Sequence, residues 1–310
     1  MLARLRERFL DGSNAGGGYW RDEAELALYD ATFAERIGWK WDAVIAELRA
    51  RGWRPRSRNV CDFGCGSGVA GRRVLGAWDG FETLALADVS RLAVAFAGRK
   101  AHADFPNVKI LDAPPSLAEG TLLLVSHVIN ELDEAGRERL LALARQAEEI
   151  MWVEAGTHAE SRALIAVREE LRGPMSVVAP CTHSARCGML AAENGRHWCH
   201  GFARVPSEIF QDANWARFSR ELGIDITTLP FSFLVMQRGD GPSSGGNMRV
   251  IGRPREMKGR MEVLCCEAGG VEEHTLQKRD EPELFKTLRK GRTDPVFQMC
   301  VQDGKLRCVP

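Results

Sequence analysis

Between residues 23 and 51 the apolar side chains Leu26, Tyr29, Phe33, Ile37, Trp41, Val44, Ile45 and Leu48 recur every three or four positions, the period of an amphipathic helix. Two helices are expected there, broken near Gly38. Beyond Pro55 short apolar runs alternate with helical stretches, which predicts a parallel sheet covered on both faces. Strands are expected at 59–63, 83–87, 108–111, 122–126 and 150–154, with helices at 69–78, 91–102, 134–148 and 159–171. A helix at 215–222 and a late strand of the same sheet at 231–236 follow. After the Gly-, Pro- and Ser-containing run 239–246 the texture changes to strands at 248–253, 260–267 and 271–278, the last two turning at Gly269 and Gly270. A second hairpin turns at Asp303 and Gly304. The expected organisation is an N-terminal helical segment at 1–55, an α/β domain at 56–240 and a small β-rich module at 247–310.

With 310 residues, 45% of them hydrophobic, the chain has apolar material for one large domain and a small appendage. Lys and Arg number 42 and Asp and Glu 42, so formal net charge is zero and any contact with nucleic acid or anionic lipid must be local. The longest apolar stretch, 121–129, includes Ser126 and His127. It is far shorter than the roughly 20 residues a bilayer demands, so no membrane association is expected. Residues 1–10 alternate Arg with Leu and Phe but admit Glu7, with Asp11 next, which reads as an ordinary helix rather than a presequence. Nine cysteines without a secretory signal point to reduced thiols in a cytosol-like compartment.

The run Asp62-Phe63-Gly64-Cys65-Gly66-Ser67-Gly68 joins a strand to a helix with glycine at every second position, leaving bare backbone where a ligand approaches. Enzymes that use S-adenosylmethionine (SAM) run such a loop beneath the amino-acid part of the cofactor. Asp62, at the strand end, is placed to hold the ammonium group. Asp88 ends the second strand, where it faces the ribose hydroxyls, and Asp112 ends the third, near the adenine edge. Gly66, Gly68 and Gly71 also satisfy the dinucleotide fingerprint with Asp88 as its ribose acid, which implies a hydride-transferring, nicotinamide-dependent oxidoreductase. The acid before the first glycine and the third strand-end acid favour SAM.

Cys181, Cys187 and Cys199 fall in a loop-like stretch, with His183 and His200 beside them. Thiolates gathered in this way suit zinc or an iron-sulfur cluster. A fourth ligand must come from His183, His200 or a distant cysteine, for which Cys265 and Cys266 are both available. Buried reduced thiols are the alternative. Pro180 before Cys181 also matches the Pro-Cys pair of pyrimidine C5 methyltransferases, although no Thr-Cys partner accompanies it.

The glycine loop, the 125–132 segment Val-Ser-His-Val-Ile-Asn-Glu-Leu, 152–157, the Ala-Pro-Cys-Thr-His segment 179–183, Trp198-Cys199-His200 and 231–238 occur in this order. On these motifs the chain resembles the methyltransferase-like proteins of the mitochondrial small ribosomal subunit and their bacterial relatives, from about Val60 to Arg279. The resemblance implies a class I SAM methyltransferase (Rossmann-like) domain with N-terminal helices, a cysteine-rich metal-binding insertion at 174–205 and a C-terminal β extension. It implies a four-iron four-sulfur (4Fe-4S) cluster on Cys181, Cys187, Cys199 and Cys266, with zinc as the alternative metal. It further implies a role at the small ribosomal subunit and its rRNA, in the bacterial cytoplasm or the mitochondrial matrix, as an rRNA methyltransferase or as a catalytically silent RNA-binding assembly factor; a monomer is expected. Arg249, Arg253, Arg255, Lys258 and Arg260, opposed only by Glu256, form a basic patch fit to meet phosphates or to guard a strand edge. After the fourth strand stand Ser126, His127, Asn130 and Glu131, with no Pro-Pro-aromatic acceptor motif, and His127 is the one candidate base. No catalytic residue is assigned from the sequence.

Overall fold

The computed structural model describes residues 4, 6, 7, 20–113, 116–241, 247–291, 296–302 and 304–308. In chain order it shows helices α1 (Glu23–Tyr29) and α2 (Glu35–Ala50), joined by a π-helical turn at Asp30–Ala34. Strand β1 (Asn59–Phe63), α3 (Val69–Ala77), β2 (Thr83–Ala87), α4 (Arg91–Asp104), β3 (Lys109–Asp112), β4 (Thr121–Ser126), α5 (Glu134–Gln146) and β5 (Glu149–Ala155) follow. Then come α6 (His158–Leu171), β6 (Met175–Ala179), β7 (Gly201–Ala203), α7 (Ala213–Leu222) and β8 (Leu229–Arg238). The remainder is β9 (Asn247–Val250), β10 (Arg255–Met257), β11 (Arg260–Glu267), β12 (Gly270–Gln277), α8 (Pro282–Lys290), β13 (Val296–Gln302) and β14 (Lys305–Cys308). No described helix is long and apolar enough to cross a membrane.

Two compact units result, one of the described residues up to Glu154 with Ala203–Leu229, the other of Ala155–Phe202 with the described residues from Pro230 onward. The first unit carries a parallel sheet in the order β3-β2-β1-β4-β5, the Rossmann-like arrangement expected from the alternating texture. Its central strands are apolar without interruption, Leu122–Val125 and Ile150–Val153 being fully buried, because helices cover both faces of such a sheet. Helix starts follow local chemistry: Ser90 and Asp133 accept from the backbone N–H of Ala93 and Gly136.

The break expected at Gly38 is not there; α2 runs through it, and the irregularity is the π turn at Asp30–Ala34. Glycine at 38 answers packing instead, since a Cβ would stand 2.7 Å from the Arg73 guanidinium, which pairs with Glu35 at 2.6 Å. Glu149, at the start of β5, is fully buried and accepts from Arg56 N, Ser57 N and the Ser57 hydroxyl, the last at 2.6 Å. Removing this carboxylate strands three donors. Glu149→Ala should therefore lower unfolding free energy by about 3 kcal/mol in chemical denaturation.

In the second unit β6 pairs antiparallel with β8. The C-terminal strands form a sheet in the order β10-β11-β12-β14-β13-β9, and β9 also pairs with β11, so five of them close into a barrel. Met248, Val250, Met261, Val263, Cys265, Leu276, Met299 and Leu306 fill it, with Leu284, Phe285 and Leu288 of α8 packed on the same core. The β-rich module expected from the sequence is this barrel, although α8 and β10 were not anticipated. The run expected as a linker falls largely on residues 242–246, and the tip of the second hairpin on Asp303, both outside the described residues.

Candidate functional site

Strand register aligns Asp62 with Leu86 and Leu86 with Asp112, so the acids at 62 and 112 share one edge of the sheet, with Asp88 just beyond the end of β2. The glycine loop folds against that edge: Gly64 N and Cys65 N donate to Ala87 O at 2.8 and 2.9 Å. Gly66 N donates to one oxygen of Asp88 and Ser90 N to the other, both at 2.9 Å, so Asp88 shapes the loop while each oxygen keeps a further acceptor site. Gly66 needs its freedom, with φ at 51° and open space where a Cβ would point.

Asp62 is fully buried. One of its oxygens accepts from Gly71 N at 3.0 Å; the other, Oδ1, has no hydrogen-bond partner. Burial pushes this carboxyl up to about 7, against the Gly71 N–H that favours the ionised form and with the negative charge of Asp88 adding to the rise. Asp88 is also raised, by burial, in opposition to the N–H groups of Ser90 and Gly66. A buried acceptor without a donor, in a field that penalises its charge, fits a cationic group such as the SAM ammonium. Asp112 is exposed at the end of β3. Val89, directly after Asp88, exposes 79% of its surface, an apolar side chain held out beside Asp88 that no sequence signal marked.

The N-terminal helices contribute more than packing. Asp30 pairs with Arg72 at 2.6 Å, and Arg72 in turn donates to Ser67 O of the glycine loop at 3.3 Å. Leu26 packs with Ala93 and Phe96 of α4. The Tyr29 phenol is raised by burial and further by the charges of Glu131, Asp88 and Asp30, which places it among the acids of the strand ends. No sequence signal marked it, because its helical spacing is that of a core residue.

His127 follows β4 with φ at 56°, a left-handed conformation rare for a non-glycine residue. Glu154 holds the turn, accepting from Val128 N, Ile129 N and the Trp152 indole. Trp41 donates to the Ser126 hydroxyl at 2.9 Å, and the Lys40 ammonium lies 3.3 Å from His127 Nε2. Burial, then Lys40 and Arg36, lower the His127 pKa well below its ordinary value. The imidazole is thus neutral, with its Nε2 lone pair directed to a cation, which removes that nitrogen as a proton acceptor. Lys40→Met should raise the His127 titration toward the ordinary histidine range in an NMR pH series.

The second unit gathers the cysteines. Cys187, Cys199 and Cys266 pack with Ile165, Met189, Ile251, Leu264 and Val271. The Cys266 thiol is pushed strongly up by burial and by the charges of Cys181, Cys199 and Cys187, so all four sulfurs share one neighbourhood. His183 Nε2 stands 3.6 Å from Cys266 Sγ. Arg168, buried on α6, hydrogen-bonds Cys181 and the carbonyls of His183 and Ala185. Burial acts to lower its pKa, but the cysteines and Glu169 raise it above the ordinary value. Glu169 accepts from Cys187 N at 3.2 Å, while Ser161 and Ser232 both donate to Cys199 O. Cys265 points the other way, into the barrel core beside Met248 and Val263, where burial lifts its thiol to about 12. Among the described residues no three His, Cys, Asp or Glu side chains lie close enough to hold a single metal ion.

The basic patch is reduced from its sequence outline. Arg249 is only 3% exposed, its guanidinium 5.4 Å over the Phe233 ring and 3.2 Å from Pro180 O, because in β9 it alternates with the barrel-core residues Met248 and Val250 and so lies on the outer face, covered by Phe233. Arg260 is tied to Glu262 at 3.5 Å.

A search of curated proteins finds no match. Among solved structures, the chain is similar to the plantazolicin methyltransferase BamL with bound SAH, at 12% identity and TM-score 0.43, covering 76% of this chain and 98% of that one. It is also similar to the magnesium protoporphyrin IX methyltransferase from Synechocystis PCC 6803 with bound SAM, at 16% identity and TM-score 0.40 over 76% and 96% of the two chains. The mitomycin 7-O-methyltransferase MmcR gives 11% and 0.42, over 76% and 66%. Sequence is more decisive than these distant overlaps: residues 32–294, which take in the glycine loop, all four converging cysteines and most of the barrel, match the model of the mitochondrial small ribosomal subunit Rsm22 family, and the chain belongs to that family.

Proposed function

We propose that this protein binds SAM at the glycine loop, holds an iron-sulfur cluster on Cys181, Cys187, Cys199 and Cys266, and acts on or beside the RNA of the small ribosomal subunit. The observation that carries the SAM reading is the unpartnered, fully buried Oδ1 of Asp62. The ammonium of SAM answers it, and the sulfonium adds a second positive charge beside the carboxylates of Asp62 and Asp88. A dinucleotide would bring a diphosphate into that same negative field, which argues against the nicotinamide reading. The family's association with the mitochondrial small ribosomal subunit supports the ribosomal setting, in the mitochondrial matrix or in the cytoplasm of a bacterium.

A second reading, an assembly factor that keeps the fold without the reaction, is favoured by His127. With Lys40 at its Nε2, the turn after β4 offers no free imidazole nitrogen there to take a proton from an acceptor amine. In either reading Asp62, Asp88 and the glycine backbone bind and orient the cofactor, and SAM supplies the electrophilic methyl group. Calorimetry of the anaerobically purified protein with SAM and with NADH tests the first claim: binding of NADH and not SAM would end it. Iron and sulfide analysis of the same preparation tests the second, and a colourless protein with stoichiometric zinc would end that. Methylation mapping of small-subunit rRNA with and without the gene separates enzyme from assembly factor.

A further inference from the structure

The barrel has a specific connectivity. Its five closing strands in chain order are β9, β11, β12, β13 and β14, and their spatial order is first, second, third, fifth, fourth and back to the first. The third and fifth strands pair in parallel at Thr275 and Lys305, and α8 lies between the third and fourth. This is the Greek-key barrel of the OB-fold, whose usual ligand surface is the outer face of strands two and three with the loop between strands one and two. Here that face is partly covered, as Cys266, Leu264 and Val271 pack with Cys187 and Met189, and Asn194 donates to Val271 O at 3.0 Å. The loop between strands one and two remains open. It runs from Ile251 through β10 to Gly259 and carries Arg253, Arg255 and Lys258, all exposed and, among the described residues, without a carboxylate partner.

Against this loop lies a ladder of rings from the cysteine segment. Trp198 and His200 stack at 4.7 Å with 19° between planes, His158 meets Trp198 edge-on, and Phe202 meets His200 edge-on. Gly252 N donates to His200 O at 3.0 Å, and a Cβ at Gly252 would stand 2.8 Å from the imidazole, so the loop and the ladder are closely fitted. The Arg253 guanidinium lies 4.2 Å from the Phe202 ring centre, within cation-π reach, and Arg253 stays exposed.

We propose that this rim of the OB barrel binds single-stranded RNA, a base stacking on the outer side of Arg253 while Arg255 and Lys258 meet the adjoining phosphates. Unpaired bases offer π faces that a planar guanidinium can cover, and a duplex does not. Three exposed cations within six residues of chain supply the local charge that the neutral net balance withholds. The assignment rests on the RNA role proposed above and names its surface.

The full-length holoprotein would be titrated into a fluorescein-labelled oligouridine of about twelve nucleotides and into an RNA duplex of equal length, by anisotropy at several salt concentrations. The single strand is expected to bind more tightly. Arg253→Ala should weaken it about tenfold, and Phe202→Leu, which keeps an apolar support but loses the flat ring, should weaken it less. Arg255→Ala with Lys258→Ala should lower the slope of log affinity against log salt by about 1.4. SAM affinity, measured on every variant, should stay unchanged. Equal binding of duplex and single strand, or an Arg253→Ala variant that binds as the native protein does, would overturn the surface. If such a protein still binds SAM, the cofactor reading survives and only the RNA surface falls.

Discussion

SAM affinity should fall as the pH drops below about 7, approaching a tenfold loss per unit, and Asp62→Asn should abolish this dependence along with much of the affinity. The argument turns on one carboxyl whose pKa is raised from 3.8 to about 7, chiefly by burial. A raised carboxyl is substantially protonated at neutral pH, and only its ionised form pairs with an ammonium. Binding must therefore expel a proton, so affinity is present above the raised pKa and is lost below it. The unliganded chain should behave in the opposite sense. Because the folded state holds its proton more tightly than the unfolded state does, Asp62 adds stability as pH falls from about 7 toward 3.8. Asp62→Asn keeps the acceptor that meets Gly71 N but removes the charge, and a charge-assisted hydrogen bond of about 1.5–3 kcal/mol corresponds to a ten- to hundredfold weaker complex. Calorimetry in buffers of different ionisation enthalpy reads the released proton directly. A pH-independent native affinity would dismiss Asp62 as the ammonium site.

Cys266→Ser should empty the cysteine site of iron, whereas Cys265→Ser should leave the iron count at the native level and cost stability instead. The two residues are neighbours in β11, and a strand sends neighbours to opposite faces. Cys266 faces Cys187, Cys199 and the field of Cys181, while Cys265 lies 1% exposed in the barrel core. Removing one of four thiolates leaves a cluster with an incomplete shell, so loss at Cys266 should be close to total. Serine at 265 buries a hydroxyl where a small apolar thiol stood, a penalty of about 1–3 kcal/mol seen in denaturation and not in metal content. Iron retained in Cys266→Ser and lost in Cys265→Ser would reverse the assignment.

The chain's own pattern determined a good deal. The runs at 59–63 and 83–87 became β1 and β2 with the same bounds, since the interior of a sheet covered on both faces needs short, mostly apolar strands, here Val60, Cys61 and Leu84–Leu86. Strand ends followed from the same logic, and with them the placement of Asp62 and Asp88 beside the glycine loop. Thiols at Cys181, Cys187 and Cys199 were legible as a group because they are close in sequence.

Tertiary structure alone decided what depends on which face is inside. Alternation sets Cys265 with Met261 and Val263 on one face of β11 and Cys266 with Arg260, Glu262 and Leu264 on the other, but only the tertiary structure brings Cys187 and Cys199 to the side of Cys266. Arg249 reads as part of a basic run, yet its register in β9 buries it against Phe233 and Pro180 O. Tyr29 reads as a core residue of an amphipathic helix, and only the pairing of Asp30 with Arg72 brings that helix to the strand ends. A one-dimensional pattern records how often a side chain turns inward; what it meets there is fixed by contacts between residues far apart in the chain.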